Sequence, residues 1–84
     1  MYYVYMVQNE SAQLYVGITT NLTERIAYHN AGRGAHFTKQ AFPFKIVFSE
    51  ECTSLAGARR REIQIKKWRR DKKQALIHRY IAGQ

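Results

Sequence analysis

Three titratable residues stand where the hydrophobic pattern calls for apolar ones: Arg25, His29 and Glu62. Arg25 and His29 share a helical face with Leu22 and Ile26, because residues three and four apart on a helix are neighbours. Glu62 falls between Ala58 and Ile65 on the apolar stripe of a later segment. Burying an unpaired carboxylate or guanidinium is costly, so such residues are rare on a core-facing side without a partner or a purpose. The plain reading is an internal ion pair of Glu62 with Arg25 or His29. The sharper reading is that the apolar faces meet near a cleft, where these groups and a tyrosine converge on a ligand. That set suits phosphodiester chemistry. A carboxylate can hold Mg²⁺, which prefers oxygen ligands and keeps most of its waters. An arginine can clamp a phosphate bidentately, and a tyrosine or histidine can position or deprotonate an attacking water.

The elements that must position these groups follow from the pattern. Tyr2 to Val7 is a β-branched and aromatic run without alternation, which predicts a central strand covered on both faces. A polar turn over 8–13 leads to a second strand, Leu14 to Ile18, the hairpin partner of the first. Tyr2, Tyr3, Tyr5 and Tyr15 all fall in strands, where tyrosine is in any case a good former. Gly17 inside a strand marks a bulge or a close backbone approach. Asn21 is a natural N-cap, and Glu24 can complete a capping box, for a helix that stops near Asn30 to Gly32. The loop from Gly32 to Pro43 carries Arg33, His36, Thr38 and Lys39. Phe44 to Glu50 is a third strand, with Phe44, Ile46 and Phe48 alternating against Lys45, Val47 and Ser49. Thr53 or Ser54 caps a helix from Leu55 to about Trp68, whose stripe holds Leu55, Ala58, Ile65 and Trp68. Asp71 begins a last helix that buries Leu76, Ile77, Tyr80 and Ile81, with His78 on the surface. The expected fold is α+β: one domain over 1–84, a small three-stranded antiparallel sheet flanked by helices in the order β-β-α-β-α-α.

Fourteen Lys and Arg against six Asp and Glu give a net charge of +8 and a pI near 10.0, which implies a polyanionic partner. The excess is densest from Arg59 to Lys73, opposed there only by Glu62 and Asp71. Part of that run must be ordinary solvated helix surface. Arg59, Lys66, Lys67 and Arg70, with Arg33, His36, Thr38 and Lys39 of the loop, are the candidate nucleic-acid contacts, of a kind that gives affinity without reading sequence. The single cysteine, Cys52, excludes an internal disulfide and a cysteine-rich metal site. No leader-like or membrane-length apolar run is visible, so a soluble, cytoplasmic protein with no membrane partner is expected.

These residues resemble the GIY-YIG nuclease superfamily, in its small single-domain, UPF0213-like type. Tyr3-Val4-Tyr5 stands in the place of the first motif, with Tyr5 matching its tyrosine, and Tyr15-Val16-Gly17 in the place of the second. Arg25 matches the arginine on the first helix, His29 the histidine one turn on, and Glu62 the metal-binding glutamate of a later helix. The segment 32–39 is also similar to that of the small type. The resemblance implies an endonuclease that uses one Mg²⁺ or Mn²⁺ ion held by Glu62, with DNA favoured over RNA and a role in repair or turnover. It implies Tyr15 as general base and Tyr5 as the group that orients the water or the scissile phosphate. Arg25 would stabilise charge on the phosphoryl oxygens, and His29 would assist proton transfer or hold a tyrosine. The chain departs from the pattern in two places. Tyr3 stands where the family name has glycine, and there is no asparagine beyond Asn30, where many members have one after the glutamate. The competing reading is a non-catalytic nucleic-acid-binding module on the same fold. A homodimer, or membership of a larger complex, is left open.

Overall fold

A computed structural model describes residues 1–31 and 43–84. Tyr2–Gln8 forms strand β1, Leu14–Thr19 strand β2 and Lys45–Cys52 strand β3. Both partners pair antiparallel with β1, giving the sheet order β2-β1-β3. The unalternating apolar run of β1 is explained by that central place: Val4, Tyr5, Met6 and Val7 are all buried, and successive side chains enter opposite faces of the sheet.

Helix α1 spans Leu22–Asn30, α2 Leu55–Lys66 and α3 Arg70–Ala82. Val4, Met6 and Val16 pack with Ala58, Ile65, Leu76 and Ile77 of α2 and α3. Tyr5 and Val7 pack with Phe44 and, around them, Tyr15, Leu22, Ile26 and Ile46, so α1 covers the other face. Caps set the helix starts. The Asn21 side chain accepts the Glu24 N–H at 3.0 Å and donates to the Glu24 carboxylate at 3.2 Å. Ser54 accepts the Gly57 N–H at 3.0 Å.

Strand β3 departs from the expected alternation. Met6 stands opposite Phe48 but Val7 opposite Ile46, so Val47 is the extra residue of a bulge. A bulge reverses the facing of the residues on its far side. Phe44 and Ile46 therefore belong to the α1 face, and Phe48 to the α2/α3 face. Val47, expected to point outward with Lys45 and Ser49, is buried. Two further expectations are corrected: Leu55 and Ile81 are exposed, at 40% and 54%. Each lies in a terminal turn, where the apolar stripe runs out of cover. α2 also ends at Lys66, short of Trp68.

The turn between β1 and β2 is built by Asn9, whose side chain accepts the Gln13 N–H at 3.0 Å. Ala12 takes a left-handed backbone there, with φ of 64°. The Arg70 guanidinium donates to the Ala12 carbonyl and ties α3 to this turn.

Candidate active site

Pairing Tyr5 opposite Gly17 lays the phenol over the neighbouring strand. A Cβ on Gly17 would lie 2.7 Å from the Tyr5 oxygen and 2.9 Å from the ring carbon that bears it. Only a residue without a side chain admits the ring in this position. The Tyr5 hydroxyl is 3.0 Å from His29 Nε2, reaching from β1 to α1. His29 is 1% exposed, and its Nδ1 has no hydrogen-bond partner among the described residues. Burial, and after it the nearby Arg25 charge, hold the imidazole below its ordinary value of 6.5. Burial likewise pushes the Tyr5 phenol well above the usual tyrosine range, with Arg25 opposing and Tyr15 and Glu62 reinforcing. The Tyr15 ring packs edge-on to the imidazole, with centroids 4.6 Å apart.

A cavity of about 440 Å³ opens where β1 begins and β2 ends. Its walls bring together Tyr5, Tyr15, Gly17 and Arg25 with Arg59 and Glu62 of α2. The Glu62 side chain is 17% exposed and pairs with Lys66 at 3.3 Å, one helical turn on. Among the described residues no ion pair joins Glu62 to Arg25 or His29, so the plain reading of those charges is corrected. The closer i,i+4 cation takes the carboxylate. Arg25 is half-buried, and its guanidinium lies over the Tyr28 ring, 5.3 Å from the centroid.

The family model described as GIY-YIG catalytic domain matches residues 1–75. The chain belongs to the GIY-YIG family. It is 45% identical over 76 residues to a UPF0213 protein of Staphylococcus haemolyticus, covering 90% of this chain and 93% of that one. Identity to a UPF0213 protein of Natronomonas pharaonis is 40% over 76 residues, covering 90% and 89%. The solution NMR structure of a UPF0213 protein from Bacillus halodurans is similar with a TM-score of 0.59 and 34% identity, covering 93% of this chain and 84% of that chain. GIY-YIG domains are nucleases that generally depend on a divalent metal, so membership supports endonuclease-like activity on nucleic acid.

Among the described residues of this GIY-YIG domain, no three His, Cys, Asp or Glu side chains gather to cage a metal. One carboxylate on a polar cavity wall instead suits a hard cation that keeps most of its waters. Of the candidate nucleic-acid contacts, Arg59 is exposed at the cavity and Lys67 is exposed beyond it. Lys66 is held by Glu62 with 53% of its side chain still exposed. Arg70 is turned back onto the Ala12 carbonyl. Arg33, His36, Thr38 and Lys39 lie outside the described residues. Arg61 pairs with Glu50 at 3.1 Å, and His78 is exposed. Asn30 has a role that its place at a helix end does not announce. Its side chain accepts the Phe44 N–H at 2.7 Å and donates to the Phe44 carbonyl at 3.2 Å, a structural clamp between α1 and the start of β3. No helix among the described residues is long and apolar enough to cross a membrane.

Proposed function

We propose that this chain is a Mg²⁺- or Mn²⁺-dependent endonuclease that hydrolyses phosphodiester bonds in nucleic acid, DNA favoured over RNA. The observation that carries the reading is the single cavity shared by Tyr5, Tyr15, Arg25 and Glu62. Arg25 stabilises the negative charge that gathers on the phosphoryl oxygens, and its half-buried place strengthens that effect. Tyr5 stays protonated, because burial raises its pKa, and so it acts as a donor and not as a base. His29, neutral for the same reason of burial, holds Tyr5. If Nε2–H donates to the phenol oxygen, the buried Nδ1 is left as a bare lone pair. The other tautomer leaves a buried N–H without an acceptor among the described residues, the rarer kind of orphan. We assign the first arrangement, which frees the Tyr5 hydroxyl hydrogen to meet a water or phosphate oxygen in the cavity.

Tyr15 is the proposed general base. Glu62, which Lys66 engages through one carboxylate oxygen, would hold the ion. A bound ion would supply electrostatic stabilisation of the leaving oxygen. Arg59, Lys66 and Lys67 contact the substrate backbone. The proposed setting is cytoplasmic, in repair or in nucleic-acid turnover with some selectivity for substrate structure.

The non-catalytic module is the competing reading. It draws on the absence of asparagine beyond Asn30, while Asn30 itself is engaged by the Phe44 backbone. Cleavage of labelled single-stranded, duplex, flapped and branched DNA and of RNA, with each metal, separates the two. Cleavage by the native chain, lost in Glu62→Ala with binding retained, is expected. In Arg25→Ala the rate is expected to fall on the order of 10²-fold or more. Binding without cleavage on every substrate overturns the nuclease reading.

A further inference from the structure

Helix α1 carries a second large aromatic that the mechanism does not use. Tyr28 is 43% exposed, and its one cationic neighbour across the ring among the described residues is Arg25. Arg25 also stands between two cavities. One is the cleft of about 440 Å³ described above. The other, of about 310 Å³, is lined by Thr19, Thr20, Asn21, Glu24, Arg25 and Tyr28. The two share Thr19, Thr20 and Arg25.

The second cavity has a different chemistry. Its Glu24 carboxylate disfavours a phosphate but accepts hydrogen bonds from exocyclic amino groups. The Thr19 hydroxyl is taken up by the Asn21 backbone, but that of Thr20 can donate or accept, and Tyr28 and the guanidinium offer flat faces for stacking. That is the chemistry of a nucleobase site. A base is tethered to its own phosphate through one sugar, so a nucleotide whose phosphate meets Arg25 in the cleft can set its base in the adjoining cavity. A base inside an intact duplex has both faces covered by its neighbours and cannot also lie on Tyr28.

We propose that Tyr28 and Arg25 form a stacking subsite for an unpaired nucleobase beside the scissile phosphate. The substrate is then a strand with an unstacked nucleotide at the cut: single-stranded, flapped or flipped. The proposal rests on the nuclease reading of the cleft for the word scissile, but the stacking itself does not need cleavage.

The test uses oligodeoxynucleotides carrying the fluorescent base 2-aminopurine at successive positions, bound to the intact chain in EDTA. Quenching at one position is expected for the native chain and for Tyr28→Phe, which keeps the ring, but not for Tyr28→Ala. Affinity for single strands should fall between about 5- and about 150-fold in Tyr28→Ala, with duplex affinity unchanged. Equal losses on single-stranded and duplex DNA would show that Tyr28 only holds Arg25, and would overturn the proposal. So would an absence of quenching at every position. Circular dichroism of each variant separates these results from misfolding, with Tyr28→Phe as the folded control. Cleavage by the native chain with no Tyr28-dependent quenching removes the subsite and leaves the nuclease. Quenching without cleavage on any substrate removes the nuclease and leaves the subsite.

Discussion

The two faces of the sheet are built from the same strands but by different rules. Toward α2 and α3 the strands present Val4, Met6, Val16 and Phe48, and the helices answer with Ala58, Ile65, Leu76 and Ile77. That side is an ordinary apolar core. Toward α1 the same strands present Tyr5 and Tyr15, and the helix answers with His29. That side buries a phenol, an imidazole and a ring nitrogen with no partner among the described residues. Buried polar groups are costly unless satisfied, so the α1 face gives up stability that the other face supplies. The sheet thus divides the labour: one side holds the fold, the other holds groups with displaced proton affinities.

That contrast can be broken from either side. The largest effect is expected from Ile65→Ala, since the side chain is fully buried. Denaturant unfolding should show a loss of about 2–5 kcal/mol, with cleavage per folded molecule preserved. Gly17→Ala comes next. The new methyl would strike the rim of a rigid, buried ring. Overpacking of about 1–3 kcal/mol outweighs the entropy that alanine recovers in a strand, so the variant should be less stable and should lose cleavage out of proportion to its unfolding. A smaller effect should follow pH. Above about 6.5 the imidazole is neutral in both states and the contribution of His29 is complete. Below that, the unfolded chain takes its proton first, because burial and Arg25 hold the folded value lower. Stability should therefore decline as pH falls from about 6.5, and the unfolding midpoint of His29→Gln should decline less across the same window. The smallest effect is expected for Ile81→Ser. It is exposed on the last turn and should shift stability by no more than about 0.5 kcal/mol.

The features legible in the sequence are those decided locally. The Asn21 cap, the central place of β1 and the helical neighbourhood of Arg25 and His29 depend on residues a few positions apart. The bulge at Val47 depends on register against a strand some forty positions away, so alternation alone misassigns it. The ends of the apolar stripes depend on what lies above them, which leaves Leu55 and Ile81 exposed. Of the candidate site, Arg25, His29 and Glu62 are legible because they break the pattern, but their partners are less so. Lys66 is within reach of the i,i+4 rule, yet its place in a basic run suggests a phosphate contact first. The Tyr28 ring beside Arg25 is equally local and equally hidden, because an exposed tyrosine breaks no pattern.

The central position of β1 also bears on the order in which the molecule assembles. Its pairing with β2 closes across the short turn 9–13, whereas pairing Gln8 with Lys45 must close the whole of 9–44. Closing the longer loop costs more chain entropy before any contact repays it, so docking of β3 is expected to be the slower event. Tyr5 meets Gly17 in the early hairpin and meets Ser49 only when β3 arrives. The phenol would then find its cradle before its second neighbouring strand, and substitutions in β3 should slow refolding in stopped-flow experiments more than substitutions in α3 do. Equal effects from the two elements would show that the sheet and the last helix form together.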